Sequence, residues 1–172
     1  WNYEYSPAYG SLEYSVKRPS QEGHDRVKLA SEGKYDGVAF HRVIEGFMAQ
    51  TGDVEHGNKK GFNSGRVGTG GSDLPDLKEE FNDVKHVRGT CSMARSSSPN
   101  SANSQFFICF EPAPFLDRQY TVWGQVIDGM EFVDKIKLGS SGNNGSVKDP
   151  DFMVKVSVGK AKSSAKAKTN KK

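Results

Sequence analysis

The segment FHRVIEGFMAQTGD, residues 40–53, joins two short apolar runs through a turn that contains glycine. The first run alternates apolar and polar residues over 38–44, which predicts a β-strand, and the second run predicts another strand over 47–51. Arg42 lies inside the first predicted strand, among apolar residues. A guanidinium buried among apolar groups is costly unless another group pairs with it or the protein uses it. The segment therefore predicts a hairpin that carries a candidate functional arginine.

Similar strand-like runs recur along the chain between turns. Two segments instead space apolar residues as helices do and end at a glycine, residues 24–33 and 129–139. Because strands and helices do not alternate regularly, the pattern predicts an antiparallel barrel or sandwich with helices attached. Residues 55–75 predict a loop, and residues 1–10 predict no definite element. The further predicted strands are 11–17, 87–94, 104–110, 120–126 and 152–158.

The chain of 172 residues is long enough for one domain with a core and hardly long enough for two. No apolar run approaches the roughly 20 residues that a membrane helix needs. Cys91 and Cys109 lie in strand-like segments and are predicted to be buried free thiols, although their spacing leaves a disulfide open. Free thiols favour a cytoplasmic location. Since the chain begins at Trp1, a periplasmic form that has lost its signal peptide is the alternative.

Positive charge is concentrated at the carboxyl end of the sequence. The net charge is +3, but residues 159–172 hold six lysines and no acidic residue, so removing them leaves −3 on the remainder. This end segment has no large apolar residue, which predicts a disordered, solvated tail after a single domain of residues 1–158. Nucleic-acid binding through the lysines is the alternative, because phosphate groups attract such a segment.

The sequence lacks the usual signatures of metal-dependent and nucleophilic enzymes. Its four histidines and two cysteines show no metal-ligand spacing, and no serine lies in a nucleophile elbow. GRVGTGG, residues 65–71, has no strand before it or helix after it, so it predicts a tight turn rather than a phosphate loop. We therefore expect neither a metal nor a cofactor.

Three polar residues that stand among apolar ones are candidates for a binding groove: Arg42, Gln50 and Gln105. Aromatic and aliphatic residues near them in the sequence provide a wall for such a groove. An apolar pocket with a few directed hydrogen-bond donors is the usual composition of a ligand site. Ordinary structural hydrogen bonding is the alternative that the spacing leaves open.

Longer motifs follow one another along residues 35–158 in this order: YDGVAFHRVIEGFMAQTGD, GTGG, EEF, GTCSMAR, NSQFFICF, PFLDRQYTVWGQVIDGMEFVDKI and MVKVSV. Together they resemble the cyclophilin family of peptidyl-prolyl cis-trans isomerases, and bacterial members more than eukaryotic cytosolic ones. The resemblance implies a mainly β fold, a closed eight-stranded antiparallel β-barrel capped by two α-helices. Residues 1–34 match poorly.

The resemblance also implies a role for individual residues. Arg42 matches the catalytic arginine of the family. Gln50 and Gln105 match glutamines that orient the substrate backbone. The other matching positions are the wall of the proline pocket (Phe47, Met48, Phe107, Leu116), the glycine-rich rim (Gly68, Thr69) and the edge that pairs with the substrate backbone (Ala94, Arg95).

The chain departs from the family pattern at four places. Phe115 stands where eukaryotic members have a tryptophan that hydrogen-bonds cyclosporin, so weak cyclosporin binding is expected. Tyr120 stands where they have a pocket histidine, and its ring is able to pack on a proline. The loop RSSSPNSAN is one residue longer than the common form. KRPSQEGHDRVKLASEG is about three residues shorter, which predicts that the first helix begins late.

The function that the resemblance implies is rotation about X–Pro peptide bonds, which assists protein folding. The expected partners are proline-containing peptides and folding proteins, with the protein acting as a monomer and not on membranes. A proline-peptide-binding module or holdase chaperone with little turnover is the alternative, because the same groove would serve binding without catalysis.

Overall fold

The computed structural model describes residues 2–6, 12–16 and 20–159. In these ranges eight strands and two α-helices form a mainly β fold, and neither helix is long and apolar enough to cross a membrane. Short 3-10 turns lie at Lys59–Gly61, Pro114–Leu116 and Ser141–Asn143. The strands are β1 Asn2–Ser6, β2 Leu12–Val16, β3 Arg42–Ile44, β4 Met48–Thr51, β5 Thr90–Met93, β6 Phe106–Cys109, β7 Val122–Asp128 and β8 Lys155–Gly159, and the helices are α1 Gln21–Ser31 and α2 Met130–Val133.

The strands form one antiparallel sheet in the order β3-β4-β6-β5-β7-β2-β1-β8. The end strands β3 and β8 are not paired with each other, so the closed barrel expected from the resemblance is not confirmed. Irregular chain meets the region of β3 instead, since Arg42 bridges Ser146 and Ala39 bridges Phe152. These isolated bridges give the edge backbone hydrogen-bond partners without a regular ladder.

The hairpin predicted by residues 40–53 is present as β3 and β4, although β3 is shorter than the predicted 38–44. Residues 38–41 make only isolated bridges, because their backbone bonds go to separate loops that contain Gly57 and Asp151. Gly46 makes the turn with a φ of 66°, a conformation that glycine adopts at little cost.

The register of β3, β4 and β6 places three candidate site residues in one row. Arg42 pairs with Gln50, and Gln50 pairs with Phe107. Directly paired residues of neighbouring strands present their side chains on the same face of a sheet. The row therefore sets a guanidinium, an amide and an aromatic ring side by side.

The other face of the sheet covers the main hydrophobic core. Trp123 and Phe106 meet there edge to face with ring centroids 5.4 Å apart, and Tyr35 contacts Phe106 at 5.5 Å. Leu29 of α1 and Val133 of α2 pack into the same cluster. Burial of these large side chains anchors both helices to the sheet.

Both cysteines are buried free thiols, as predicted. Cys91 belongs to the main core, whereas Cys109 belongs to a smaller cluster beneath the candidate site, and no disulfide joins them. Burial raises the pKa of both thiols, that of Cys109 to about 12. Both groups therefore stay protonated and unreactive at neutral pH.

Helix α1 begins three residues before the predicted start at residue 24. Ser20 caps it, because its hydroxyl accepts a hydrogen bond from the Gly23 N–H at 2.9 Å. Glu80 accepts bonds from the first two backbone N–H groups of the helix, where a negative charge is favourable. Gly33 follows the carboxyl end with a φ of 70°, the position at which glycine commonly ends a helix.

Helix α2 covers one turn rather than the predicted 129–139. After Val133 the backbone bonds take the 3-10 spacing, as the Ile136 N–H bonds to the Val133 oxygen. The Gly139 N–H then donates to the Val43 oxygen of β3 at 2.9 Å. The helical spacing of apolar residues thus buries Val133 and Ile136 although the helix itself is short.

The ends of the chain differ from the predictions in two ways. Strand β1 lies within residues 1–10, for which the sequence predicted no element, and β8 covers Lys155–Gly159 rather than 152–158. Residues 160–172, which carry the lysines of the predicted tail, lie outside the described residues.

Candidate active site

Arg42 is half-buried at the start of β3, and not fully buried as its neighbours in the sequence suggest. Its Nε donates to the backbone oxygen of Asn144 at 3.0 Å, and its Nη2 donates to Oδ1 of the same residue at 2.9 Å. Its Nη1 donates to Oε1 of Gln50 at 3.2 Å. Partial burial lowers the pKa of Arg42 from its ordinary value, but a guanidinium remains charged at neutral pH.

A chain of hydrogen bonds continues from Arg42 across neighbouring strands. Nε2 of Gln50 donates to Oε1 of Gln105 at 3.0 Å, and Nε2 of Gln105 donates to the Gly70 oxygen at 2.8 Å. A guanidinium only donates and a backbone carbonyl only accepts, so the direction of every bond between these two ends is determined. Each glutamine keeps one N–H outside this chain, and both glutamines line the groove.

A buried carboxylate holds the glycine-rich rim of the site. Asp53 is fully buried, and its Oδ2 accepts from the N–H groups of Gly68 at 2.7 Å and Gly70 at 3.0 Å. Its Oδ1 accepts from the N–H groups of Glu55 and His56. Sequence reasoning missed this residue. Its signal was a single Asp between a strand and a glycine-rich loop, because such a loop has no ladder and needs a local acceptor.

The two predicted rim residues lie at the exposed mouth of the site. Gly68 has a φ of 95°, and a Cβ at this position would lie 3.3 Å from Nε2 of His41. The Thr69 hydroxyl donates to the Arg66 oxygen at 2.6 Å, which closes the turn. His41 is buried below the rim, and burial lowers its pKa to about 4, so its ring is neutral at physiological pH.

An apolar pocket lies in the same region of the sheet. Its members come from β4, from β6, from the residue that follows β5 and from the chain at the turn Pro114–Leu116. The pairing of β4 and β5 with β6 brings them together. Two partly buried aromatic residues pack against it at the margin. The buried wall is Met48, Ala94, Phe107, Cys109, Ala113 and Leu116, and the marginal side chains include Phe47 and Tyr120.

Phe107 is supported from behind by a buried imidazole. The ring of His86 stacks on it with centroids 6.2 Å apart. Nδ1 of His86 lies 3.1 Å from Oδ1 of Asp117, and Nε2 lies 3.0 Å from Oγ of Ser92. Asp117 only accepts, so Nδ1 carries a proton, and burial lowers the pKa of His86, which favours the neutral ring. Ser92 is fully buried, so this Ser–His–Asp arrangement supports Phe107 and offers no nucleophile to a substrate.

Two further predicted site residues lie at the edge of the groove. The Arg95 guanidinium lies over the Tyr120 ring at 4.4 Å, and its Nη2 donates to the Gln119 oxygen at 2.8 Å. Phe115 is 63% exposed and contacts Phe47 with ring centroids 5.4 Å apart. Phe115 is therefore an exposed flank of the pocket rather than part of its buried wall.

The site opens into a groove of about 1010 Å³. From Gln50 and Gln105 the groove follows the glycine-rich rim to the carboxyl end of α1, where Lys28 and Glu32 line it. Its volume is that of a typical ligand site. The predicted site residues thus lie along the groove or the pocket beside it, except for the exposed Phe115 and for Arg42, which is joined to the groove through its hydrogen bond to Gln50.

Residues 21–158 match the family model described as cyclophilin type peptidyl-prolyl cis-trans isomerase/CLD. The chain belongs to the cyclophilin family. This cyclophilin is 63% identical over 132 residues to a probable peptidyl-prolyl cis-trans isomerase of Brucella abortus (strain 2308), a match that covers 76% of this chain and 67% of that protein. It is 40% identical over 127 residues to the human peptidyl-prolyl cis-trans isomerase-like 3, a match that covers 73% of this chain and 74% of that protein. The higher identity to the bacterial relative agrees with the bacterial character of the motifs.

The fold of this cyclophilin is also similar to solved structures. A crystal structure of a cyclophilin type peptidyl-prolyl cis-trans isomerase from Cryptosporidium parvum, in the presence of the dipeptide Ala-Pro, aligns with a TM-score of 0.79. The alignment covers 94% of this chain and 100% of that one, at 26% identity. The described residues of this chain therefore share the mainly β cyclophilin fold.

Proposed function

We propose that this cyclophilin rotates X–Pro peptide bonds in protein substrates and that Arg42 acts on the proline nitrogen. One observation carries the proposal: a charged guanidinium is fixed beside an apolar pocket formed by Met48, Phe107 and Leu116. A guanidinium has five N–H bonds, and three of those in Arg42 are used within the described part of the chain. One N–H on each Nη remains to meet a substrate.

The chemistry of the X–Pro bond explains why a fixed cation helps. Partial double-bond character gives the bond a rotation barrier of roughly 18–20 kcal/mol. At the twisted transition state the resonance is lost, and the proline nitrogen becomes pyramidal and basic. A hydrogen bond from Arg42 to that nitrogen stabilises the twisted form more than either planar form. Such differential binding lowers the barrier without a nucleophile or a proton transfer.

One hydrogen bond does not supply the whole effect. A rate increase of about 10⁵ requires roughly 7 kcal/mol, because each factor of ten requires about 1.4 kcal/mol. A hydrogen bond to a charged group contributes about 1.5–3 kcal/mol. The remainder has to come from the pocket around Phe107, which holds the proline ring, and from Gln50 and Gln105, whose free N–H groups orient the flanking backbone.

The proposed partners are proline-containing peptides and folding proteins. The Cryptosporidium parvum cyclophilin, whose crystal structure was determined in the presence of Ala-Pro, supports this class of ligand. Gly68, Thr69, Ala94 and Arg95 would border the bound peptide along the groove. Action as a monomer is part of the same proposal.

The finer architecture and the location belong to the same proposal. The sheet would close as a barrel through the irregular chain around Ser146 and Phe152, which the isolated bridges to Arg42 and Ala39 support. Residues 1–158 would act as one domain, followed by a solvated lysine tail. The two buried free thiols support a cytoplasmic location. If the tail binds nucleic acid instead, deletion of 160–172 will abolish a salt-sensitive association.

The alternative, a proline-peptide-binding module or holdase, is separated from an isomerase by turnover. Two-dimensional NMR exchange spectroscopy on a short Ala-Pro peptide measures cis–trans exchange directly at substoichiometric protein. Exchange cross-peaks that appear with the protein and disappear on its removal are the expected result. Peptide chemical-shift changes at stoichiometric protein, without exchange cross-peaks, would support the binding module and contradict catalysis.

A further inference from the structure

We propose that Asn144 is a positioning residue for the reaction, which orients the Arg42 guanidinium through two hydrogen bonds. This inference deepens the proposed function and rests on it. Asn144 lies 102 positions from Arg42 in the sequence, on the loop after the 3-10 turn Ser141–Asn143. Neither composition nor spacing singles it out.

The two hydrogen bonds define the plane of the guanidinium. Nε of Arg42 donates to the backbone oxygen of Asn144, and Nη2 donates to Oδ1 of its side chain. A single acceptor would leave the planar group free to rock about that bond, whereas two acceptors on one edge of the fork prevent it. Gln50 engages Nη1 on the remaining side. The unused N–H groups are thereby directed before a substrate arrives.

The loop that carries Asn144 is tied to β3 on both sides of Arg42. The Val43 N–H donates to the Gly145 oxygen at 2.8 Å, and the Val147 N–H donates to the His41 oxygen at 3.1 Å. A Cβ on Gly145 would collide with the side chain of Ile44, so the loop packs directly on the strand. The backbone on either side of Asn144 is therefore attached directly to the strand that carries Arg42.

The backbone of Asn144 indicates why this residue type serves. Its φ is 50° and its ψ is 34°, in the left-handed region that glycine and asparagine adopt most readily. Glycine would suit the backbone but would supply only the carbonyl acceptor. Asparagine suits the same conformation and adds the second acceptor for Arg42. The residue thus meets a backbone requirement and a side-chain requirement together.

Three variants separate these requirements. Asn144→Gly keeps the left-handed backbone and the Nε bond and removes only Oδ1. Asn144→Asp restores an acceptor at the same place. Asn143→Ala is the matched control, because Asn143 is the preceding exposed residue of the same loop and its side chain makes no hydrogen bond to Arg42 within the described residues.

The expected result is a loss in kcat with little change in KM. Loss of one hydrogen bond to a charged group at an exposed position is expected to lower kcat about tenfold in Asn144→Gly. Asn144→Asp recovers most of that loss, and Asn143→Ala matches wild type. Unchanged kcat in a folded Asn144→Gly protein, or a rise in KM alone, would overturn the proposal.

A second measurement does not depend on catalysis. Nitrogen-15 NMR of the Arg42 side chain resolves separate Nη signals when rotation of the guanidinium is restricted. We expect separate signals in wild type and Asn143→Ala and averaged signals in Asn144→Gly. Retained separate signals in Asn144→Gly contradict the positioning role even if Arg42 is catalytic. If the signals are averaged in Asn144→Gly but the Arg42→Ala protein is fully active, the positioning role stands and the proposed function is contradicted.

Discussion

Gln50 lies between Arg42 and Gln105, accepting from the guanidinium and donating to the second amide at 3.0 Å. Gln50 thus connects the residue proposed to act on the proline nitrogen with the residue proposed to orient the peptide. Because an amide both donates and accepts, the same side chain serves both neighbours. A carboxylate at this position would serve only one of them.

The first prediction uses that difference. Gln50→Glu retains the acceptor for Arg42 but cannot donate to Gln105, so we expect kcat to change less than KM. Gln50→Leu removes both bonds and is expected to lower kcat/KM about tenfold, since Nη1 of Arg42 loses its acceptor and Gln105 loses its donor while the two bonds to Asn144 remain. Steady-state kinetics on an Ala-Pro peptide measures both. Equal losses in the two variants would contradict the separate roles.

The second prediction compares two aromatic residues of the site. Phe107 is 5% exposed and Phe115 is 63% exposed. Phe107→Ala is expected to cost about 3–5 kcal/mol of unfolding free energy, because it leaves a cavity beside His86. Phe115→Ala is expected to change it by less than about 0.5 kcal/mol and to affect peptide binding instead. Urea unfolding followed by peptide titration distinguishes the two, and similar stability losses would refute the burial argument.

The third prediction concerns pH and Glu22. Burial raises the pKa of Glu22 from 4.5 to about 7, and the charge of the nearby Glu80 raises it further. A hydrogen bond with Thr121 and the positive charge of Arg26 lower the pKa and offset part of this rise. The folded state therefore retains a proton that the unfolded state loses. The contribution of this proton to the free energy of unfolding is fully present below about pH 4.5. It is lost as pH rises through about 7, which lowers the free energy of unfolding by on the order of 3 kcal/mol.

Glu22→Gln is expected to remove this pH dependence and to unfold at higher denaturant than wild type at pH 8. Glu32→Gln is the control, since Glu32 lies close to the same helix but is exposed and pairs with Lys28. Denaturant midpoints between pH 4 and 8 give the measurement. If the denaturant midpoint depends on pH in the same way in wild type and in Glu22→Gln, Glu22 does not hold the proposed proton.

The fourth prediction concerns cyclosporin. Phe115 stands where the family resemblance places a tryptophan whose indole N–H bonds the drug, and a phenyl ring has no such donor. We expect weak inhibition of wild type and stronger inhibition of Phe115→Trp, by about tenfold for one added hydrogen bond of roughly 1.4 kcal/mol. Inhibition curves with the peptide substrate provide the test. Equal inhibition would show that this position does not determine drug affinity.

Local patterns predicted the elements that carry most of the site. The alternation around Arg42 and the run from Phe47 predicted the β3–β4 hairpin, because one face of each strand is buried. The spacing of Val133 and Ile136 predicted the right buried residues but too long a helix. After Val133 the backbone takes 3-10 spacing, and Gly139 then bonds to Val43 of β3, a long-range contact that no local pattern reveals.

Long-range contacts account for what the sequence could not predict. Asn144 reaches Arg42 across 102 positions, and Asp53 binds four backbone N–H groups of a loop without regular structure. Arg26 of α1 is 2% exposed and donates to the sulfur of Met93. The buried arginine thus lies in a helix, whereas Arg42 in residues 40–53 is only half-buried. Nothing in the helical spacing marks Arg26 as buried.

The most direct test of the central claim is exchange spectroscopy on an Ala-Pro peptide with wild type, Arg42→Ala and Arg88→Ala at equal concentration. Arg88 is the control because its guanidinium pairs with Asp134 and the residue lines neither the pocket nor the groove. We expect exchange cross-peaks with wild type and Arg88→Ala, and an exchange rate lower by about two orders of magnitude with a folded Arg42→Ala. Undiminished exchange in the folded Arg42→Ala protein would contradict the role of Arg42.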